Sequence, residues 1–321
     1  MSRRLGNRSG ASIRARSSRY SATRRGWPMV LAGGLVASLL AGCGATSLGL
    51  GTSEQQSATT GCSSGGVQSA LPSTVQPGST ITVASDASYE PNEFLAPDGQ
   101  TIIGMDIDLL RGALQCLGLK VKFQNAKFDN ILPGIVGGKY DMGASSFTIT
   151  AARLRQVTMV SYFSAGTQWI TQKGNPKKFN PTKPCGHSVG VQTGTTQADE
   201  IAAINKGVCK SDHVKPVVED LQSKVTTDLL AGKVDAMAAD SPVALYAVKK
   251  TGDKLQAVGD ITGSAPYGIV LPKSQDKFGV AIAKAFAAMA TNGSYQKILA
   301  KWGQQSGAVE MFAANPAVPN D

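Results

Sequence analysis

The sequence predicts an α/β protein built as two lobes that face each other across a crevice, and three observations carry that prediction. At 321 residues the chain is too long for one small domain and suits two lobes of roughly 100 to 150 residues each plus a tail. Hydrophobic residues make up 42% and charged residues 17%, enough apolar material for a core in each lobe. The third observation is an internal echo, in which Gly138-Lys139-Tyr140-Asp141-Met142-Gly143-Ala144-Ser145-Ser146 matches Gly232-Lys233-Val234-Asp235-Ala236-Met237-Ala238-Ala239-Asp240 in pattern. In each copy a helix ends at glycine, Lys-x-Asp turns the chain, and a strand of small residues ends on a polar side chain, Ser146 or Asp240. In open α/β sheets the residues beyond the carboxyl ends of strands line a crevice. Two such units facing each other put two sets of strand-end side chains around one space, the geometry of a clam-shell.

Taken in order, residues 1–43 read as an export signal. An arginine-rich start is followed by an apolar run from Pro28 to Ala41, too short to cross a bilayer as a helix, and then by Leu40-Ala41-Gly42-Cys43. That tetrapeptide resembles a lipobox, in which the cysteine, here Cys43, is lipidated and becomes the new amino terminus. The same segment explains the formal charge of +10: eight of the 32 basic residues and none of the acidic ones precede Cys43, leaving 24 basic against 22 acidic. A nearly neutral mature chain removes the main argument for a nucleic-acid partner. Residues 44–78, rich in Ser, Thr, Gly and Gln, read as a flexible tether.

Beyond the tether, Ser79 to Ala84 reads as the first strand. Met105 to Leu117 reads as a helix with Leu110, Ala113, Leu114 and Leu117 on one face, stopped by Gly118, and Leu119 to Phe123 as the next strand. Setting Cys43 aside, Cys62, Cys116, Cys185 and Cys209 allow three disulfide connectivities, as an exported chain permits. Cys185 and Cys209 flank one strand-loop-helix unit and are the preferred pair. Cys62 with Cys116 would follow by elimination, although Cys62 falls in the tether. Neither His187 nor His213 stands at a finger-like distance from a cysteine pair, so no metal site is expected.

The candidate site residues suit a small zwitterion. A free amino acid enclosed away from water needs a partner for its carboxylate and one for its ammonium. Arg153 lies one helical turn after Thr150, an expected N-cap, and can clamp a carboxylate with two parallel hydrogen bonds. Gly194-Thr195-Thr196-Gln197 follows the strand Ser188 to Gln192 and opens another helix, so Thr195 and Thr196 bring hydroxyls and amides to the same anion. Asp240, at a strand end, can accept the ammonium.

From about Ser79 to Gly303 the sequence resembles the family of bacterial solute-binding proteins for polar amino acids, which includes lysine-arginine-ornithine, histidine and glutamine binding proteins. Asp86-Ala87-Ser88-Tyr89-Glu90-Pro91, Gly104-Met105-Asp106-Ile107-Asp108-Leu109, Phe128-Asp129-Asn130-Ile131-Leu132-Pro133 and Ser145 to Arg153 carry the resemblance. So do Gly194 to Gln197, Leu230 to Asp235, and Asn292-Gly293-Ser294-Tyr295 before Lys301-Trp302-Gly303. The resemblance implies a type II periplasmic-binding-protein-like fold with the ligand cleft between the lobes. Arg153 and Thr196 would hold the α-carboxylate, and Asp240 with Ser146 and Thr148 the α-ammonium. Tyr89 and Phe128 would sandwich the side chain and Asp86 meet its polar end, with Ser145 in the same motif. Three positions depart from the family: Asn92 stands in place of an aromatic, Met105 in place of phenylalanine, and Gln192 where an apolar residue often meets the ligand.

The expected organisation is a first lobe over 79–166 and 260–321, a second over 167–259, and crossings near Ser164 to Trp169 and Ala257 to Thr262. The expected function is binding, not catalysis. A monomer without cofactor, lipid-anchored on the extracytoplasmic face of the cell membrane, would pass a polar, basic or amide amino acid to separate ABC permease and ATPase chains. The alternatives are an exported lyase of the cyclohexadienyl dehydratase kind, a ligand-sensing module, and a binder of ectoine-type solutes.

Overall fold

The computed structural model describes Cys62 and residues 64–318; the expected signal segment, Cys43 and the first part of the tether lie outside the described residues. A short helix α1 (Ser64–Gln68) leads to strand β1 (Thr80–Ser85), whose Ile81, Val83 and Ala84 are buried. A small antiparallel sheet of β2 (Ser88–Tyr89), β3 (Glu93–Leu95) and β4 (Ile102–Ile103) follows, and Gly104 then turns the chain into helix α2 (Met105–Cys116). Gly104 has φ +141°, and a Cβ there would lie 2.1 Å from the Asn92 carbonyl oxygen. Only glycine lets the start of α2 close on the Asn92–Glu93 backbone. The Asp106 N–H donates to that same carbonyl at 3.0 Å. Asp106 and Asp108 in the first turn suit the positive end of the helix dipole.

Strand β5 (Lys120–Asn125) runs parallel to β1, followed by α3 (Phe128–Val136), β6 (Met142–Gly143) and the short α4 (Ala151–Leu154). The long strand β7 (Val157–Gln172) then carries the chain into the second lobe. There β8 (Ser188–Gln192), α5 (Thr196–Lys206), β9 (Lys215–Glu219), α6 (Gln222–Leu230), β10 (Ala236–Asp240) and α7 (Ser241–Thr251) repeat the plan. A second long strand, β11 (Leu255–Pro272), returns antiparallel to β7, and α8 (Asp276–Thr291) and α9 (Ser294–Trp302) pack against the first core.

The sheet order β5-β1-β6-β11-β7-β10-β8-β9 shows the two lobes to be alike. The parallel triplets β5-β1-β6 and β9-β8-β10 flank the two long strands, which pass through both lobes. The β7–β11 register shifts between Val258 and Thr262, which fall in the expected crossing segment, and again between Thr262 and Ala265 and between Tyr267 and Gly268, beyond it. The sequence echo has a shared cause. Asp141 accepts the Thr82 N–H of β1 at 2.8 Å, and Asp235 accepts the Ser188 N–H of β8 at 3.0 Å. In both copies, a carboxylate in the helix-to-strand turn holds the neighbouring parallel strand.

Alternation along the long strands gives each lobe a core on both faces of the sheet. Ile269 packs with Val83, Leu110, Leu114 and Phe286, whereas its neighbour Val270 packs with Ile131, Phe147 and Met159. In the second lobe Trp169 joins Val189, Val191 and Ile201, while Ile170 joins Val225, Leu229 and Met237.

The segment read as a tether over 44–78 differs from that expectation in its second part. Val67, Ala70, Leu71 and Val75 pack against the first core, and Cys62 is bonded to Cys116 at the end of α2 with 5.4 Å between Cα atoms. Apolar side chains spaced through a polar-looking stretch, together with the disulfide, hold it to the lobe. Cys185 is bonded to Cys209, with Cα atoms 5.1 Å apart. Among the described residues no helix is long and apolar enough to cross a membrane.

Candidate functional site

The carboxyl ends of the parallel strands in both lobes converge on a small cavity. Its lining brings together Asp86, Tyr89, Phe128, Ser145, Ser146, Thr148, Arg153, Gln192, Thr195, Thr196 and Asp240, the eleven residues singled out in the sequence, and adds Gln197.

Asp86 follows β1, and its N–H donates to Ser145 Oγ at 3.0 Å. Its carboxylate Oδ2 accepts the Phe128 N–H at 3.1 Å and, from the other lobe, Gln192 Nε2 at 2.7 Å. Gln192 also donates to the Asp220 carbonyl at 3.0 Å, so both amide hydrogens are used and the orientation of the amide is fixed. Burial pushes the Asp86 carboxyl upward from its ordinary range, against hydrogen bonds from Ser88, Phe128 and Gln192.

Asp240 sits at the N-cap position of α7, yet its side chain makes no capping bond. It turns into the cavity, where Oδ1 accepts Gln197 Nε2 at 2.8 Å. The Asp240 N–H donates to the Tyr89 hydroxyl oxygen at 3.2 Å, a bond between the lobes. Burial raises this carboxyl too, opposed by its hydrogen bonds and by the nearby Arg153 charge.

Arg153 stands on α4, whose N-cap Thr150 accepts the Arg153 N–H at 3.2 Å. The half-buried guanidinium donates Nη1 to the Thr148 carbonyl at 2.8 Å and Nη2 to the Gly194 carbonyl of the other lobe at 3.0 Å. Its Cζ lies 5.6 Å from the ring centroid of Phe128 and 5.5 Å from that of Phe147, and the two rings stack at 4.6 Å. Burial lowers its pKa, against the raising influence of Asp240. Opposite, Thr195 is the N-cap of α5, accepting the Ala198 N–H at 3.3 Å and donating to the Gln192 carbonyl at 2.8 Å. Thr196 opens the helix, whose first N–H groups offer an anion site beside Arg153.

Gln197 lies in the quoted Gly194 to Gln197 motif but received no role from the sequence. Its position in the first turn of α5, on the side of the cavity, was the available signal. Two of the departures from the family also have a structural account. Asn92 is fully buried and donates Nδ2 to Ser146 Oγ at 2.9 Å, and Met105 fills the first core with no exposure. The lobes are further joined by Lys127 with Asp220, by Glu90 with Lys250 and Tyr246, and by the Gln222 N–H to Ser88 Oγ at 3.1 Å.

Chemically, the cavity carries one cation, Arg153, and two acids, Asp86 and Asp240, each of which accepts a neutral carboxamide rather than a charged hydrogen-bond donor. An enclosed site of that kind suits a ligand bearing one carboxylate and more than one positive group.

The family model of the bacterial extracellular solute-binding proteins, family 3, matches residues 81–305, and the chain belongs to that family. Among its relatives is the arginine-binding protein ArgT of Corynebacterium glutamicum, 30% identical over 252 residues, which cover 78% of this chain and 82% of that protein. Similar solved structures include an ancestral arginine-binding protein bound to arginine, at 34% identity and TM-score 0.64, over 70% of this chain and 97% of that one. Another is the ancestral amino acid-binding protein AncCDT-1, a precursor of cyclohexadienyl dehydratase, at 30% identity and TM-score 0.62, over 70% of this chain and 95% of that one.

Proposed function

We propose that this protein captures a basic L-amino acid, arginine foremost, outside the cell and delivers it to the permease and ATPase chains of an ABC importer. The observation that carries the reading is one cavity lined by Arg153 and Asp240, which come from different lobes and lie near each other, together with Asp86. Arg153 and Thr196 take the α-carboxylate; Asp240, Ser146 and Thr148 take the α-ammonium. Tyr89 and Phe128 flank the stem, and Asp86 meets the cationic tip, with Gln192 holding its other oxygen. The arginine-binding relatives support the same ligand class. Closure brings the lobe formed by 79–166 and 260–321 onto the lobe 167–259, in a monomer held at the membrane by lipid on Cys43.

No covalent chemistry is assigned. The exported-lyase alternative is weakened by the presence of both the carboxylate clamp and the ammonium acceptor, and incubation with prephenate or arogenate separates the two readings. A thermal-shift screen of the twenty amino acids, ectoine and opines tests the binding reading. A ligand at about 100 times its Kd stabilises the folded state by ~2.7 kcal/mol. A clear shift with arginine is expected, and the absence of a shift with arginine, lysine and histidine refutes the reading.

A further inference from the structure

Directly behind Ser145 and Ser146 lie two carboxyl groups that the binding scheme does not use. Glu93 and Asp106 are both fully buried. Ser145 Oγ lies 3.0 Å from Glu93 Oε1, and Ser146 Oγ lies 3.3 Å from Glu93 Oε2 and 3.1 Å from Asp106 Oδ2. Asp106 Oδ2 also accepts the Ser146 N–H at 2.8 Å and the Tyr162 hydroxyl at 2.5 Å. The other oxygen, Asp106 Oδ1, is buried with no N–H or hydroxyl to satisfy it.

The remaining ionisable neighbours of Glu93 are Asp86 and Tyr89 of the cleft, Asp240 stands next to Tyr89 and Tyr162, and among the described residues no lysine, arginine or histidine forms an ion pair with either acid. Two adjacent carboxylates without a cation cannot both ionise in a dry interior. A proton on Glu93, pointed at Asp106, satisfies the orphaned oxygen and leaves one charge on the pair. Desolvation and the neighbouring Asp106 push Glu93 well up, and desolvation raises Asp106 to about 6.

Ser146 shows what the pair holds in place. Its φ of +52° is a left-handed conformation, unfavourable for serine. The N–H bond to Asp106, the single hydroxyl hydrogen shared between Asp106 and Glu93, and the Asn92 amide donating to Oγ fix it there at the cavity wall. We propose that Glu93 and Asp106 share one proton and act as a positioning pair for the bound amino acid, holding Ser146 in place and putting one negative charge behind the ammonium subsite. The inference rests on the amino-acid reading above. Its consequence is that affinity falls on acidification, as a second proton discharges the pair.

The test is calorimetric titration of the full chain with L-arginine between about pH 5 and about pH 7, where the ligand's carboxylate and guanidinium keep their charges. Wild type should weaken by about tenfold or more at the acid end, the scale of one charge acting over ~10 Å at an effective dielectric constant of ~20. Glu93→Gln places an amide hydrogen where the shared proton sits and keeps the charge, so its Kd at pH 7 should stay within about threefold of wild type. Glu93→Gln/Asp106→Asn carries no charge and should be about tenfold weaker at neutral pH already, with a flatter profile.

A double variant that melts like wild type and keeps its Kd and pH profile overturns the proposal. So does a wild-type Kd that is flat with pH. Should the double variant fail to fold, Glu93→Gln alone decides, since a loss of more than about tenfold in that charge-conserving variant contradicts the shared proton. A wild type that binds no amino acid at all refutes the function reading instead.

Discussion

Replacing Arg153 by alanine separates a binding role from a scaffold role. Without ligand the guanidinium bonds two neutral carbonyls, of Thr148 at 2.8 Å and of Gly194 at 3.0 Å. Hydrogen bonds from a charged group contribute about 1.5–3 kcal/mol each, and burial of the guanidinium offsets most of that gain, as its lowered pKa shows. The unliganded variant should therefore lose no more than about 2 kcal/mol of stability. With ligand bound, the substitution would strand a carboxylate inside the closed cavity. Losing one partner of such a pair costs ~2–5 kcal/mol, of which the lower bound is already about 30-fold in Kd. Arg153→Lys keeps the charge but loses the planar fork and should fall between. Calorimetry with L-arginine reads the affinity and a melting curve of the free protein reads the scaffold. An unchanged Kd removes Arg153 from the site, and a melting loss as large as the binding loss makes it a structural residue.

Three further expectations follow from the same geometry. Asp86→Asn should weaken arginine and lysine by about tenfold or more while affecting glutamine little, because only the cationic tips lose a charged partner; equal losses across the three ligands would place Asp86 away from the side chain. Cys62→Ser with Cys116→Ser opens a loop with a sequence separation of 54 residues, worth ~4 kcal/mol by loop-closure entropy. Its melting temperature should drop while arginine affinity stays, and an unchanged melt would mean the amino-terminal segment is held by packing alone. For Asp235, burial is outweighed by hydrogen bonds from Ser188 and His187, and the carboxyl sits below its ordinary range. Its stabilising contribution is thus present above the unfolded value and lost as pH falls through the folded one. Asp235→Asn should destabilise at neutral pH by ~1–3 kcal/mol and converge with wild type in acid, by denaturant melts at several pH values.

The parts of the fold legible in the sequence are those set by local chemistry. The apolar face of α2, the Thr150 and Thr195 caps and the strand Ser188–Gln192 follow from spacing and turn residues within a few positions of one another. Of the eleven candidate residues, Ser146, Arg153, Thr195, Thr196 and Asp240 were legible from strand ends and helix starts, whereas the other six, Asp86 and Tyr89 among them, came from the resemblance to the family. What stayed hidden depends on contacts distant in sequence. Docking of Val67 and Leu71 needs the surface of α2 and α8, and nothing in the Ser- and Gly-rich composition of the tether reveals it. Glu93 was not singled out, because its partner arrives from α2 only after Gly104 folds the chain back.

The internal echo joins these strands of argument. Asp141 and Asp235 do the same work in the two lobes, each clamping the N–H of a neighbouring parallel strand, so the repeated Lys-x-Asp is a scaffold element and not a ligand contact. The copies differ in charge at their last residue. In the second lobe the strand ends on Asp240, which enters the cavity itself. In the first the matching residue is Ser146, three positions beyond β6, a neutral side chain backed one layer deeper by Glu93 and Asp106. Both lobes therefore bring negative charge to the same end of the cleft, one directly and one through a hydroxyl. With Asp86 also lining the cavity and Arg153 as its one cationic lining residue, the electrostatics of the cavity favour a ligand that brings net positive charge. For that reason a neutral amino acid should bind more weakly than arginine even where its shape fits, and neutralising the buried pair should narrow that difference.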